Sequence, residues 1–244
     1  MQSWGLTDPG CVRKQNQDAY KIEQLDRGNL LCIVCDGMGG AKSGNVASTL
    51  AVEVFVEEVR RSWVPGMAAE ASEQMLRSAV KLANFTVYDQ SRQFEEFDGM
   101  GTTLVAALIR GRKVSVVNVG DSRAYRISQH GIRQITKDHS VVQMMVDRGE
   151  LTPEVAKSYP GKNFITRALG VDAQVRADGF TVRLRPGERL LLCSDGLSNA
   201  LTDETLYRLC RSGRSPEKVC RRLIQHALCG GARDNVTAAL IMRW

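Results

Sequence analysis

Strand-like segments in this sequence follow one another in runs, and that order limits the possible folds more than any other feature. Apolar alternation predicts strands at residues 20–25 and 30–35, and four more between residues 103 and 135. Short turns such as residues 110–112 join them, so neighbouring strands should be antiparallel. A parallel sheet would alternate each strand with a helix instead.

Helical periodicity appears in two stretches, residues 46–59 and 75–87, and two short basic helices precede a last strand at 236–242. Ser43 is the candidate N-cap of the first helix. We therefore predict an α+β fold, an antiparallel β-sandwich flanked by helices on both sides. Residues 141–162 are helix-poor in pattern and rich in turn residues, which predicts a flap insert at one edge of the sheet. No linker divides the chain, so we expect one domain over residues 1–244.

Composition excludes several classes of protein. Apolar residues make up 43% of the chain and charged residues 25%, as in ordinary globular domains. No apolar run approaches the roughly 18 residues of a membrane span, and the start shows no secretion signal, so no membrane association is expected. Seven cysteines, mostly within apolar stretches, favour reduced thiols and a cytoplasmic location. The net charge of +6 favours an anionic partner.

The positions of the aspartates are the most informative feature. Asp36 and Asp195 each end an apolar strand, as does Asp121, whereas Asp18 and Asp234 each precede one. In an antiparallel sheet the start of one strand lies beside the end of its neighbour. The five carboxylates can therefore share one edge of the sandwich.

Five carboxylates at one edge would repel one another unless protons or cations were present. Two like charges 4 Å apart cost about 1 kcal/mol in water and about 4 kcal/mol at an effective dielectric of 20. Hard oxygen ligands without nearby His or Cys select Mg²⁺ or Mn²⁺, and shared carboxylates suit two ions bridged by a water. Such a site is suited to the hydrolysis of phosphate esters.

Other motifs give weaker signals. No arginine stands six residues after any cysteine, which excludes a cysteine phosphatase. Lys42-Ser43 lacks the glycines of a Walker A loop, and Cys32-x-x-Cys35 has no second pair at metal spacing. The pairs Asp98-Gly99 and Asp178-Gly179 are interpreted as hairpin turns. From spacing alone, Arg13 is one solvated arginine among 24.

The chain resembles the metal-dependent serine/threonine protein phosphatases of type 2C, the PPM family, in their short bacterial single-domain form. The matching stretches occur in family order nearly from end to end, which makes the resemblance specific. They are GCVRKQNQD (10–18), VCDGMGG (34–40) with 44–48, GTTL (101–104), VNVGDSRAY (117–125), TKDHS (136–140), ITRALG (165–170), CSDGL (193–197) and DNVT (234–237).

The resemblance implies a helix-flanked β-sandwich with two Mn²⁺ or Mg²⁺ ions. It implies that Asp36 bridges both ions and that the Gly37 carbonyl completes the shell of the first. Asp195 and Asp234 would hold the second ion, with Asp18 acting through its waters. Asp121, together with Asp195, would match a third, weaker metal site.

The resemblance also implies the reaction. A hydroxide bridging the metals would attack phosphorus in line, Arg13 would bind the substrate phosphate, and residues 141–162 would be the family's variable flap. The partners would be phosphoserine and phosphothreonine proteins and a cognate serine/threonine kinase. We expect a monomer and no nucleic acid.

Two positions depart from the family pattern. Many members carry a histidine after Gly-Met-Gly-Gly, considered the proton donor to the leaving alkoxide, and here that position is Ala41. An acidic residue common four positions later is Asn45. The general acid is therefore unassigned, and a metal-bound water is the substitute we expect. General acid catalysis typically contributes 10²–10⁴-fold, so its loss would slow poor leaving groups without abolishing activity.

Two other functions stay open at this point. The first is a non-catalytic regulator that keeps the fold and binds phosphoproteins or an anionic partner. The second is nucleic-acid binding through the basic helices near residues 208–222. The second is disfavoured because no aromatic residues interleave with the basic ones for base stacking.

Overall fold

The computed structural model describes residues 1–39, 43–156 and 158–243. Two antiparallel sheets stack face to face. The first sheet has the order β1-β11-β10-β7-β8, and the second has the order β2-β3-β5-β6-β9 with the short β4 paired to β3. The strands are β1 Gln2–Asp8, β2 Asp18–Asp26, β3 Asn29–Met38, β4 Gly101–Thr102, β5 Leu104–Arg110, β6 Lys113–Val119, β7 Arg123–Ser128, β8 Gly131–Gln134, β9 Asp178–Arg183, β10 Arg189–Cys193 and β11 Val236–Met242.

Helices cover the outer face of each sheet. The pair α1 and α2 packs on the second sheet, and α6 and α7 pack on the first. The helices are α1 Gly44–Ser62, α2 Ala69–Gln93, α3 Val141–Asp147, α4 Pro153–Ala156, α5 Asp195–Ala200, α6 Asp203–Arg211 and α7 Pro216–Cys229, with one 3₁₀ turn at Glu95–Phe97. The predicted helix-flanked antiparallel sandwich is confirmed.

The strand β3 shows why the central strands are apolar on both faces. Leu31 and Ile33 pack towards α1 and α2, whereas Cys32 and Val34 point into the layer between the sheets. Successive strand residues face opposite sides, so a strand covered by helices on one side and a sheet on the other is apolar throughout. Each sheet therefore contributes to two cores, and the strand ends are left to carry polar residues.

The flap differs from its prediction. Residues 141–162 were expected to be helix-poor, but α3 and α4 lie within them. Ser140 caps α3 by accepting a hydrogen bond from the Gln143 amide, and no residue of α3 is buried. Because the helix has only seven residues and five of them are apolar, it shows no alternation of apolar and polar faces, and periodicity gave no signal for it.

Three further elements differ from expectation. The strand β1 was not predicted, because only Gly5 of its seven residues is buried. The pair Asp178-Gly179 is not a turn but begins β9, where it pairs with Asn118 and Val117 of β6. Ser43 precedes α1 as expected but makes no side-chain capping hydrogen bond.

No helix within the described part of the chain combines the length and the hydropathy that crossing a lipid bilayer requires.

Candidate active site

Strand pairing brings the first two acids of the site together. In the register of β2 with β3, Asp18 lies directly opposite Asp36. Asp36 does not end its strand as expected, since β3 continues to Met38. Asp18 is 8% exposed, and its Oδ2 accepts hydrogen bonds from the hydroxyls of Ser194 (2.7 Å) and Thr237 (2.6 Å). These bonds tie the start of β2 to the end of β10 and the start of β11.

A close backbone approach places Asp195 beside Asp234. Gly196 lies so near Asn235 that a Cβ on the glycine would come within 1.9 Å of the Asn235 carbonyl oxygen. Only glycine fits there, because real Cβ contacts are never that short. The first turn of α5, which begins at Asp195, therefore lies against the segment that carries Asp234.

Asp121 joins the group through a hydroxyl relay. The Thr103 hydroxyl accepts a hydrogen bond from the Asp36 amide at 3.0 Å and pairs with the Ser122 hydroxyl at 2.7 Å. The Thr103 amide in turn donates to the Asp36 carbonyl at 2.9 Å. Thr103 therefore fixes the backbone around Asp36 relative to the loop that carries Asp121.

The five carboxylates form one electrostatic unit, which we call the acidic rim. Its members are Asp18, Asp36, Asp121, Asp195 and Asp234. Burial raises the pKa of Asp36 well above its usual range, and the charges of the other four raise it further. The pKa of Asp195 is raised by burial and by the charge of Asp234, against a hydrogen-bonding interaction with Asp36 that lowers it. The rim is therefore too crowded for all its acids to ionise without counter-charges.

Two members of the rim have pKa values near neutrality. Burial raises the pKa of Asp18 to about 7, against hydrogen bonds from Thr237 and Ser194 that lower it. Burial, with the charge of Asp195, raises the pKa of Asp121 to about 8. In the absence of cations, protons therefore occupy part of this site at pH 7.

The chemistry of the rim fits hard divalent cations. All its side-chain donors are carboxylate oxygens, and Asp18 Oδ1 is buried without a hydrogen-bond partner. Within residues 1–39, 43–156 and 158–243, no group of three or more His, Cys, Asp or Glu side chains is arranged as it stands to hold a metal ion. Some of the carboxylate oxygens that would bind metal ions are instead protonated or hydrogen-bonded to Arg13. The carboxylates therefore fit divalent ions when the ions replace these protons and this hydrogen bond.

Arg13 reaches the rim from the loop between β1 and β2. Its Nη2 donates to Asp234 Oδ2 at 2.9 Å, and its side chain is 53% exposed. The bond to Asp234 raises the pKa of the guanidinium further. An exposed guanidinium held at the edge of the rim is placed to meet an incoming anion.

Asn235 holds the loop of Arg13 in place. Its side-chain amide donates to the carbonyls of Pro9 (3.0 Å) and Gln15 (2.9 Å), and its Oδ1 accepts from the Gln17 amide at 2.8 Å. Asn235 is 3% exposed. One buried side chain therefore fixes both ends of the loop that presents Arg13.

Gly37 lies in a gap that admits no side chain. A Cβ at this position would come within 2.0 Å of the Gly44 carbonyl oxygen and 2.6 Å of the Gln17 carbonyl oxygen. The Gly37 amide donates to that Gln17 carbonyl at 3.0 Å. The start of α1 and the loop of Arg13 thus both close on the end of β3.

A cleft of about 400 Å³ runs from the rim to the flap. Asp121 and Asp195 line one side of it, and residues of the flap, among them Gln143, Val146 and Lys162, line the other. The flap therefore forms one wall of the path by which a substrate reaches the acids.

Sequence reasoning missed the residues that support the acids. Thr103, Ser194, Asn235 and Thr237 are all buried and all hold the rim together. Each of them lies in a matched stretch or directly beside a site aspartate, and that adjacency was the available signal. Ala41 lies outside the described residues. Asn45 is exposed in the first turn of α1.

The layered fold and the acidic rim correspond to the class of metal-dependent phosphatases that the resemblance implied. A family model described as Protein phosphatase 2C matches residues 12–223. The chain belongs to this family, and with it to the serine/threonine protein phosphatases.

Named relatives agree with this membership. The serine/threonine phosphatase stp of Listeria monocytogenes is 36% identical over 237 residues, covering 97% of this chain and 94% of that protein. The crystal structure of Stp1 from Staphylococcus aureus is 38% identical with a TM-score of 0.91, covering 98% of this chain and 93% of that one. The catalytic domain of PstP, solved in complex with two manganese ions, is 34% identical with a TM-score of 0.85, covering 98% and 96%.

Proposed function

We propose that the chain hydrolyses phosphoserine and phosphothreonine in proteins at the acidic rim, with two Mn²⁺ or Mg²⁺ ions. The observation that carries the proposal is that five aspartates from distant parts of the chain meet at one edge of the sandwich, where burial and the charges of their neighbours raise the pKa values of Asp18, Asp36, Asp121 and Asp195. Natural sequences keep such a repulsive cluster where a cation or a reaction requires it. The manganese-bound PstP domain supports the choice of ions.

The residue roles follow the resemblance and are supported by placement. Asp36, at the centre of the rim, would bridge the two ions, and the Gly37 carbonyl would complete the first shell. Asp195 and Asp234 would hold the second ion, and Asp18 would act through water. Asp121, together with Asp195, would hold a third and weaker ion.

The chain's own groups bind and orient the phosphate. Bound divalent ions would lower the pKa of water and neutralise charge on phosphoryl oxygens. Arg13 presents parallel N–H donors that match two phosphate oxygens, and Asn235 fixes the loop from which it extends. A cation held by Asp234 would weaken the bond from Arg13 and leave the guanidinium free to hold substrate.

Protonation of the leaving alkoxide falls to water in the site. Alanine at position 41 has no proton to donate, and no assigned residue replaces the family's histidine. We therefore expect the difference in rate between this chain and family members with the histidine to depend on the leaving group. It should be small for p-nitrophenyl phosphate, whose leaving group needs no proton, and larger for alkyl phosphates.

The test is release of phosphate from a phosphothreonine peptide with Mn²⁺, with a chelator, and in Asp36→Asn. The matched control is Asp98→Asn, which changes another Asp-Gly pair at an exposed position. We expect at least 10³-fold loss in Asp36→Asn and none in Asp98→Asn. Release that survives the chelator or Asp36→Asn would overturn the metal mechanism. Phosphopeptide binding without any release would favour a non-catalytic regulator.

The finer expectations concern setting and partners. We propose that residues 1–244 act as one catalytic domain and as a monomer in the cytoplasm, opposing a serine/threonine kinase. The seven free cysteines, five of them buried, support a reducing environment. A sedimentation experiment that gives twice the mass of 26.9 kDa would contradict the monomer.

A further inference from the structure

A second concave site lies at the junction of α6 and α7. It has a volume of about 640 Å³. Four of the residues that line it are basic, and we call it the basic cavity. The lining is Ser212, Gly213, Arg214, Ser215, Lys218, Arg221 and Arg222.

Positive charge is concentrated around this cavity. Residues 208–222 contain six Lys or Arg and one acid, a net charge of +5 (six minus one). This nearly equals the net charge of the whole chain, +6. The one acid, Glu217, is paired with Arg221 at 3.0 Å. Among the residues that the structure describes, the side chains of Arg214 and Lys218 form no ion pair, and both are exposed. Two cations are therefore available to an external anion.

The start of α7 adds the positive end of a helix macrodipole. Ser215 is the N-cap of α7, a helix of 14 residues, and its hydroxyl accepts from the Lys218 amide. Because Pro216 has no N–H and the Lys218 amide is already bonded, this first turn contributes mainly the positive potential of the macrodipole. The charged side chains and this helix terminus act on the same small volume.

A buried guanidinium lies behind the wall of the cavity. Arg189 is 7% exposed, and its Nη2 donates to the Gly213 carbonyl at 2.6 Å. Its Nη1 is buried with no hydrogen-bond partner. Burial lowers the pKa of Arg189, and the charges of Arg211 and Arg222 lower it further. The positive charges of these arginines repel one another in the folded protein, so binding an anion would reduce that repulsion.

The cavity is separate from the acidic rim. Arg189, which contacts Gly213, begins β10, and Asp195 follows the other end of that strand. At about 3.3 Å per residue, the six-residue separation corresponds to about 20 Å. One phosphate group cannot reach both places.

The lining disfavours nucleic acid and membranes. It contains no aromatic side chain on which a base would stack. None of the residues that line the cavity is a large apolar residue that could enter a bilayer. A phosphate group on a protein needs only charge and hydrogen-bond donors, and the cavity supplies both.

We propose that the basic cavity binds a phosphorylated residue of a protein partner, about 20 Å from the acidic rim. The choice of a phosphoprotein rests on the proposed function, whereas the anion site rests on the cavity alone. A substrate with two phosphates would engage the cavity with one and present the other for hydrolysis. Tethering of this kind supplies effective concentrations in the millimolar range, so a tenfold lower KM is a conservative expectation.

The kinetic test compares two peptides. One carries two phosphothreonines separated by 15 residues, a length that extends to roughly 50 Å and can pass round the surface. The other carries one phosphothreonine and alanine at the second position. The variant is Arg214→Glu with Lys218→Glu. The control is Lys81→Glu with Arg92→Glu, which makes the same charge change on exposed positions of α2.

We expect the cavity variant to raise KM for the doubly phosphorylated peptide about tenfold. KM for the singly phosphorylated peptide and kcat for p-nitrophenyl phosphate should stay within twofold of the unmodified protein. The control variant should behave as the unmodified protein does. Equal KM values for the two peptides in the unmodified protein, or an equal loss with both peptides in the variant, would overturn the proposal.

A binding test separates this proposal from the proposed function. Without metal the acidic rim repels phosphate, so binding of a labelled, singly phosphorylated peptide to chelator-treated protein reports the cavity. We expect binding that the cavity variant loses and that inorganic phosphate competes. This holds even if no preparation hydrolyses any substrate, which would refute the proposed function alone. The proposal would be refuted if the protein bound a DNA duplex or phosphatidylserine vesicles but no phosphopeptide, and if that binding were lost in the cavity variant. The cavity would then belong to another partner.

Discussion

The acidic rim and the basic cavity lie at opposite ends of β10, and each gathers like charges in a different way. Asp18 and Asp121 are buried and the other three acids are half-buried, so protons partly neutralise the rim and the pKa values of Asp18, Asp36 and Asp121 rise. Arg214 and Lys218 are exposed, so water and salt screen them instead. Burial decides how a like-charge cluster is tolerated. A buried cluster is neutralised by a cation that fits its ligands, whereas an exposed cluster can bind any anion of suitable size.

The largest expected effect comes from breaking the close approach on which the rim depends. In Gly196→Ala the new Cβ would meet the Asn235 carbonyl at 1.9 Å, so the segments of Asp195 and Asp234 must separate. Overpacking costs about 1–3 kcal/mol, and we expect at least 100-fold lower kcat/KM with weaker Mn²⁺ binding. Gly230→Ala is the control, because its nearest contact would be 3.3 Å. Unchanged Mn²⁺ affinity in Gly196→Ala would show that the rim tolerates separation.

The next effect tests the cation at the edge of the rim. Arg13→Ala removes a guanidinium that meets substrate but, on our assignment, holds no metal. We expect kcat/KM for a phosphopeptide to fall 10–100-fold while the Mn²⁺ concentration for half activity stays within threefold. Arg13→Lys should recover only part of this, since an ammonium cannot bind two oxygens in parallel. A variant whose activity returns with excess Mn²⁺ would instead place Arg13 in metal binding.

The sequence predicted the acids better than it predicted what surrounds them. Strand order and Asp positions were enough to expect the five acids at one edge of the sandwich, and the structure adds that Asp18 lies directly opposite Asp36. The glycine gap at Gly196 and the three hydrogen bonds of Asn235 were not predictable, because they join segments that are far apart along the chain. The helices of the flap were missed for the opposite reason, since no residue of α3 or α4 is buried and no periodicity records them.

A pH titration distinguishes the buried cluster from the exposed one. The folded pKa values of Asp18 (about 7) and Asp121 (about 8) lie above the usual 3.8, so folding takes up protons. The stabilisation this gives is complete below about pH 4 and is lost as the pH rises to about 8. We expect the Tm of chelator-treated protein to fall between pH 5 and pH 8, and Mn²⁺ to restore most of the loss at pH 8. A metal-free Tm that rises over this range would contradict the raised pKa values.

Removing one acid should stabilise the metal-free protein while it harms function. Asp121→Asn takes away a buried carboxyl whose ionised form is opposed by burial and by Asp195. We expect the metal-free protein at pH 8 to gain on the order of 1 kcal/mol, or about 2–4 °C in Tm. Asp98→Asn, at an exposed position, should leave the Tm within 1 °C. A lower Tm in Asp121→Asn would mean that the carboxylate is satisfied by protein contacts and does not depend on a cation.

The smallest effect concerns salt, and it compares the two clusters directly. Replacing Arg214 and Lys218 by alanine relieves repulsion among exposed cations, so the gain in Tm should be about 1 °C at 20 mM NaCl and vanish at 0.5 M. The gain from Asp121→Asn should persist at 0.5 M, because ions from solution screen a buried group poorly. If both gains disappear with salt, the rim is solvated enough to behave as the cavity does, and its acids no longer require a bound cation. If both gains in Tm persist at 0.5 M NaCl, salt does not screen the charges of Arg214 and Lys218. Their side chains are then held in fixed positions, and the anion site is preorganised.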